Sequence, residues 1–350
     1  MKILIVTQKI DKNDGYFGFF HDWLIEFAKR CERVTAIGLE VGAYDLPGNV
    51  KVYSLGKEAG RSRLKYAYRL LAYSWRERKD YDAVFVHMNP PYLIVGGWLW
   101  RLLGKKIGFW YLHRNVDLKL RIAAVLADDI FSAAPESFRL KSKKIHFMGQ
   151  AVPLPRYARP AGFKRSSGEP FTIVSVGRIT PIKNLDTLIE AASILRGRGV
   201  AVRVDLVGEP VTPADQEYKE GLVELIDKKS LGPTMNFVGS VPNKDIPSWY
   251  WKSDLSVNLC PTGGLDKAVL ESMAAGTPVM ASNEAFREYF GGYGGRMMFK
   301  ERDPADLVAK LEAFMRAGDK AAIASKLLAE AQKRSSLSAL VGKIVEILGK

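Results

Sequence analysis

The sequence predicts an α/β protein built from two doubly wound domains in tandem, and three observations carry that prediction. Short apolar β-type runs alternate with helical patterns, the alternation stops once at a loop-like stretch, and it then restarts. The first series is KILIVT, VTAIGL, VKVYSL, AVFVHM, KIGFWYLH, DIFSAA and KIHFMG, with the helical pattern FGFFHDWLIEFAKR after its first member. Continuously apolar strands spaced by helices indicate a parallel sheet covered on both faces. The break is AVPLPRYARPAGFKRSSGEP, 151–170, rich in Pro, Gly, Ser and Arg. The second series is FTIVSVGR, the helix NLDTLIEAASILRGRG, VRVDLVG, a helix through YKEGLVELIDKK, MNFVGSV, LSVNLCP, a helix over 266–275, and PVMAS. From about Asp319 the chain reads as helix to its end. The expected division is a first domain over 1–155, a linker over 156–170, and a second domain with the C-terminal helix over 171–350. Such sheets bind ligands at the carboxyl ends of their strands, and a cleft between two facing domains is the expected active site.

Composition fits this layout. A chain of 350 residues with 47% hydrophobic content can bury two medium cores. Two cysteines, Cys31 and Cys260, supply neither a disulfide framework nor a zinc cluster, which suits a reducing compartment. MKILIVTQK reads as a first strand, and the longest apolar run, YLIVGGWLW, stops at Arg101, short of a membrane span. A cytoplasmic protein is expected. The formal charge is +14, of which residues 1–150 carry +10. Much of the excess lies in KEAGRSRLKYAYRLLAYSWRERKD, 57–80, where Leu64, Tyr68, Leu71 and Trp75 fall at helical spacing among basic residues. Two readings are open: peripheral contact with an anionic membrane, or a solvated helix whose aromatics pack on the core. The charge carries no nucleic-acid motif, so no nucleic-acid partner is expected. Neither domain opens with G-x-G-x-x-G, which disfavours a dinucleotide dehydrogenase.

Chemistry gathers in the second half. Arg178 and Lys183 lie on a loop after the strand TIVSV, and a cationic pair there suits a diphosphate leaving group, because charge grows on the bridging oxygen as the bond breaks. Gly263 and Gly264 free the backbone before Asp266 caps the helix AVLESMAA, which ends at Gly276 and Pro278. A helix starting at a glycine turn offers unpaired N–H groups to phosphate. Glu271 can accept from the vicinal hydroxyls of a ribose.

VSVGRITPIKNLDTLIEAA, VDLVG, MNFVGSV and LDKAVLESMAAGTPVMAS follow one another in the order and spacing of retaining glycosyltransferases of the GT-B fold, family 4 (glycosyl transferases group 1), which the chain resembles over roughly 170–310. The resemblance implies two Rossmann-like domains, acceptor in the first and nucleotide-sugar in the second. It implies that Arg178 and Lys183 hold the donor diphosphate, that Glu271 holds the ribose, and that Leu265, Asp266 and Lys267 at the helix start, with Gly264 and Gly177, complete the donor site. The donor is a substrate; no separate cofactor and no metal are implied. His113, in YLHRN, stands where the family's GTFH-like motif places a histidine that orients the sugar. Gly18, in the turn after the first strand, lets backbone approach the sugar-phosphate, and His87, at a strand end, is assigned to the acceptor pocket. One departure stands out: the family's first glutamate, eight residues before Glu271, is here Gly263. Asp80-Tyr81-Asp82 spells a metal-binding DxD but precedes its strand, at the wrong end of the sheet. The expected activity is hexosyl transfer to a glycan or lipid-linked hydroxyl acceptor in polysaccharide biosynthesis. A sugar-nucleotide epimerase and a non-catalytic nucleotide-sugar-binding protein are the alternatives.

Overall fold

The computed structural model describes residues 1–113, 115–163 and 170–350. They form two compact units: Met1–Gln150 with Pro242–Lys244 and Leu337–Lys350, and Ala151–Val241 with Asp245–Ser336.

In unit one the order is β1 (Lys2–Ile10), α1 (Phe20–Ala28), β2 (Arg33–Val41), β3 (Val50–Ser54), α2 (Arg63–Arg76), β4 (Ala83–His87), α3 (Pro90–Leu102), β5 (Lys106–Trp110), α4 (Leu118–Leu126), β6 (Asp129–Ser132) and β7 (Ile145–Phe147). The strands pair in parallel in the order β3-β2-β1-β4-β5-β6-β7. Because parallel crossovers are right-handed, α1 lies on one face and α2, α3 and α4 form a layer on the other. The central strands are apolar on both sides, as two covered faces require: Ile3 to Val6 and Ala83 to Phe85 are all buried.

Unit two runs α5 (Leu154–Tyr157), β8 (Phe171–Val176), α6 (Leu185–Gly197), β9 (Val202–Val207), α7 (Pro213–Lys228), β10 (Met235–Gly239), α8 (Ile246–Trp251), β11 (Leu255–Asn258), α9 (Lys267–Ala274), β12 (Val279–Ala281), α10 (Arg287–Phe290), α11 (Gly294–Met297), α12 (Pro304–Arg316) and α13 (Lys320–Arg334). Its sheet is parallel in the order β10-β9-β8-β11-β12. The last helix, α14 (Leu337–Leu348), returns to unit one.

That return corrects the expected division. The chain breaks its C-terminal helix at Ser335, and α14 buries Leu340, Val341, Ile344 and Leu348 beside α1 and β5. Gly108 of β5 leaves the room: a Cβ there would meet Leu348 at 2.9 Å. Arg30 donates to the Ser338 hydroxyl at 2.6 Å. The expected linker is also shorter than 156–170. Residues 164–169 of it lie outside the described residues, while α5 is part of unit two, with Tyr157 buried in its core and the Trp251 indole donating to the Tyr157 carbonyl at 2.9 Å.

Candidate active site

In unit two the strand order reverses between β8 and β11, and the loops leaving the carboxyl ends of those strands carry most of the residues singled out above. The β8 loop holds Gly177, Arg178 and Lys183; the β11 loop runs through Gly264 and Leu265 to Asp266, the N-cap of α9, and Lys267 follows as its first residue.

The two loops are joined by an ion pair. Lys183 Nζ lies 2.5 Å from Asp266 Oδ2, which also accepts from Asn258 Nδ2 at 3.1 Å and from the Cys260 thiol at 3.0 Å. The other oxygen, Oδ1, caps α9 by accepting from the Ala268 N–H at 3.1 Å. Burial works against both charges, but each partner's opposite charge outweighs it, so Lys183 is raised above and Asp266 held below its ordinary value. The Cys260 thiol is pushed up to about 12 by burial and by the Asp266 carboxylate. Asp266 is thereby fully engaged within the protein. It holds Lys183 in place and starts α9.

Arg178 differs. It is half-buried and has no ion-pair partner among the described residues. Since Lys183 and Asp266 cancel, Arg178 and Lys267, the first residue of α9, supply the positive charge at this pair of loops.

The backbone here is shaped by glycine. Gly177 sits at φ +147°, and a Cβ on it would meet Lys183 Cε and Nζ at 3.1 and 3.2 Å, so the lysine stem lies directly on the glycine. Gly208, at φ +139°, brings β9's end so close that a Cβ would meet the Gly177 carbonyl at 2.0 Å. Two asparagines that sequence reasoning missed lock the loops. Asn184 takes the left-handed conformation, φ +45°, before α6, and its amide donates to the Leu259 carbonyl at 3.0 Å, tying the β8 loop to the end of β11. Asn283 accepts from the Gly263 N–H at 3.3 Å and donates to the Gly264 carbonyl at 3.0 Å, fixing the glycine turn. An asparagine directly after Lys183 was the readable signal for the first; the second lies across the β12 connection and carries none.

Glu271 lies on the buried side of α9. Its Oε2 is 3.4 Å from the Tyr250 hydroxyl, whose single proton it shares with the Ala268 carbonyl at 3.1 Å, and the Tyr157 hydroxyl is a further partner. Burial raises its carboxyl above the ordinary value, partly offset by Lys267 and the tyrosines. A carboxylate offers about four acceptor positions, so two phenols leave capacity for a diol.

The candidates in unit one are arranged differently. The order of its sheet reverses between β1 and β4, and His87 is the last residue of β4. Its ring is buried, 4.4 Å from Phe20 and 5.9 Å from both Phe19 and Trp23, with Nδ1 3.3 Å from the Thr7 hydroxyl. Gly18 donates its N–H to the Asp14 carbonyl at 3.1 Å, and a Cβ there would strike that oxygen at 2.3 Å. Nearby Lys9 pairs with Asp14 at 2.8 Å and Glu40 at 2.7 Å. His113 is exposed beyond β5, its ring 5.9 Å from Tyr111. Asp80 and Asp82 are spent at the amino end of β4: Asp80 pairs with Arg33 at 2.8 Å and Asp82 accepts from the Lys2 N–H at 2.8 Å. Among the described residues no group of three or more His, Cys, Asp or Glu is placed to hold a metal ion.

Residues 162–331 match the family model of glycosyl transferases group 1. The match falls on the segment that carries Arg178, Lys183, Asp266 and Glu271. WcaL of Salmonella typhimurium (strain LT2), a glycosyltransferase named for colanic acid biosynthesis, is 26% identical over 212 residues, 59% of this chain and 49% of that protein. Mannosylfructose-phosphate synthase of Agrobacterium fabrum is 25% identical over 203 residues, 56% of this chain and 43% of that protein. The chain thus spans about half the length of the curated relatives it matches. Among solved structures, Anabaena Alr3699/HepE in complex with UDP and glucose is similar with a TM-score of 0.78 and 19% identity, covering 100% of each chain. That likeness establishes the fold, two Rossmann-like α/β domains of the GT-B kind.

Proposed function

We propose that the protein is a retaining, metal-independent glycosyltransferase that moves a hexose from a nucleoside diphosphate sugar to the hydroxyl of a glycan or lipid-linked acceptor. The reading includes a cytoplasmic place with peripheral membrane contact and a part in polysaccharide biosynthesis. The observation that carries it is Arg178, which has no ion-pair partner among the described residues, on the same loop as Lys183 of the Lys183–Asp266 pair, at the order reversal of a parallel sheet and inside the segment that matches the glycosyl transferases group 1 model. The proposed relatives' chemistry is consistent with it: the Anabaena protein was solved with UDP and glucose.

In this reading Arg178 meets the diphosphate and stabilises the charge that grows on its bridging oxygen. An ammonium has three donors; Asp266 and the Cys260 sulfur occupy two of those on Lys183, leaving one for a phosphate oxygen. Glu271 accepts from the ribose hydroxyls, and His113 orients the transferred sugar. The bond from the anomeric carbon to the phosphate oxygen breaks as the bond to the acceptor oxygen forms. The acceptor's proton passes to the departing phosphate oxygen on the same face, so no separate base is needed. The test is incubation with UDP-, GDP- and ADP-linked hexoses and hydroxyl acceptors, with and without excess EDTA, reading the product's anomeric configuration by NMR. Retained configuration and an EDTA-insensitive rate are expected. Inversion, or loss of activity in EDTA, would overturn those parts of the reading, and conversion of the donor without an acceptor would point to an epimerase.

A further inference from the structure

The layer α2–α3–α4 of unit one has two apolar sides. The inner side is ordinary core: Leu70, Leu93, Trp100, Leu120, Ala123 and Leu126 are buried. The helices are locked side by side, since Trp100 donates to the Ser74 hydroxyl at 3.1 Å, Arg101 donates to the Leu126 carbonyl at 3.0 Å, and Gly97 lets Leu126 approach to 3.2 Å of where a Cβ would be. The outer side carries a second set. On α2, Leu64, Tyr68, Leu71 and Trp75, spaced as one helical face, are all exposed; on α3, Trp98 is 63% and Leu102 86% exposed; on α4, Leu118 is 71% and Val125 69% exposed. Tyr66 and Tyr73 of α2 pack against the core, while Tyr68 and Trp75 on the outer face do not. Soluble monomers rarely display so many large apolar side chains on one layer.

The charge on the same layer is of one sign. Arg63, Lys65, Arg76, Arg101, Lys119 and Arg121 are exposed, and α2, α3 and α4 contain no acidic residue. Arg63, Lys65, Lys119 and Arg121 have no ion-pair partner among the described residues, and Arg78 lies over the Trp75 ring at 4.4 Å. No helix of the described residues is long and apolar enough to cross a membrane. Large apolar tips among unpaired cations, on a rigid layer that cannot insert, match an interfacial site, where rings and leucines reach the acyl boundary and cations meet headgroup phosphates.

We infer that the outer face of α2–α3–α4 docks on an anionic lipid leaflet. The inference extends the acceptor side of the proposed function but does not depend on the donor chemistry. Each basic residue near an anionic surface contributes roughly a fivefold gain in partitioning. The experiment is co-sedimentation of the full chain with phosphatidylcholine vesicles and with equimolar phosphatidylcholine–phosphatidylglycerol vesicles, at low and high salt. Binding only to the anionic vesicles, weakened by salt, is expected. Arg63→Glu/Lys65→Glu/Arg121→Glu and, separately, Leu64→Ser/Trp98→Ser should each lower it by at least about tenfold, with thermal midpoints unchanged because these side chains are exposed. Absence of binding to anionic vesicles, equal binding to both, or variants that bind like wild type would overturn the inference. So would a stable dimer dissociated by Leu64→Ser/Trp98→Ser, which would assign the face to a second copy. A nucleotide thermal-shift run on the same variants reads the donor site separately.

Discussion

The two sheets of this protein offer the same topological feature, a reversal of strand order, and fill it with opposite chemistry. In unit one the end of β4 is closed by rings: His87 stands among Phe19, Phe20 and Trp23, and the adjacent Lys9 is surrounded by Asp14, Glu40 and Asp11. In unit two the corresponding place holds one half-buried ion pair and one guanidinium, Arg178, that has no ion-pair partner among the described residues. Topology therefore marks where a ligand site can be, and the balance of fixed charge decides whether the place is suited to an anion. Lys9 has its charge more than cancelled. The β8 and β11 loops, with the start of α9, keep positive charge on Arg178 and Lys267.

The largest effect should come from breaking the unit-two pair. Asp266→Ala leaves the half-buried Lys183 ammonium beside a thiol and an amide and removes the cap of α9, a loss of about 1 kcal/mol for the cap and, for the pair, of at most about 3–5 kcal/mol, the cost of breaking a fully buried pair. Asp14→Ala in unit one should cost no more than about 1 kcal/mol at Lys9, because Glu40 and Asp11 remain. Urea denaturation of the two variants tests the contrast, and equal losses would break it.

Glu271 offers a pH test of the same unit. Its carboxyl is raised above 4.5 by burial, so the folded state holds its proton longer than the unfolded state does. Stability should fall as pH rises from 4.5 through the folded value, and Glu271→Gln should lack that fall. The depressed carboxylates act in a separate window: Asp215, held at about 2 by the Thr180 hydroxyl, and Asp266 contribute stability that is present above 3.8 and lost as pH falls below it. Thermal midpoints of wild type and Glu271→Gln between pH 4 and 8 read the difference; parallel curves would contradict the buried placement of Glu271.

Two smaller effects sharpen the contrast further. His87→Phe should change stability by less than about 1.5 kcal/mol, since the site is already lined by rings, and should raise acceptor KM if His87 serves the acceptor pocket. An unchanged acceptor KM would remove His87 from acceptor binding. Smallest of all, Cys260 should react with a thiol reagent at pH 8 far more slowly than an exposed cysteine, because its thiol stays protonated until about 12. Fast labelling would show that the Lys183–Asp266–Cys260 cluster is more open than described.

Much of this was legible in the sequence, and the remainder has identifiable causes. Alternating apolar strands and helices predicted both sheets, and the local pattern put Arg178 and Lys183 on a loop after one strand and Asp266 at the start of a later helix. The home of α14 was not legible, because an apolar stripe shows that a helix needs a partner without saying which; the small Gly108 that receives Leu348 lies far away in sequence. The engagement of Asp266 with Lys183 was hidden for the same reason, as it depends on two loops meeting. The direction of the α2 stripe was left open between a membrane and the core, because helical periodicity reports a face and not its direction. Leu70 and Ser74, one position away from Leu71 and Trp75, are the residues that turn inward.

The central claim is that the β8 and β11 loops of unit two bind a nucleoside diphosphate through Arg178. A thermal-shift panel of UDP, GDP, ADP and NAD against wild type and Arg178→Ala tests it directly. Saturation at one hundred times the dissociation constant adds about 2.7 kcal/mol, so the account predicts a clear upward shift with one nucleoside diphosphate in wild type and its loss in Arg178→Ala at an unchanged ligand-free midpoint. No shift with any nucleoside diphosphate, or an equal shift in the variant, would contradict it.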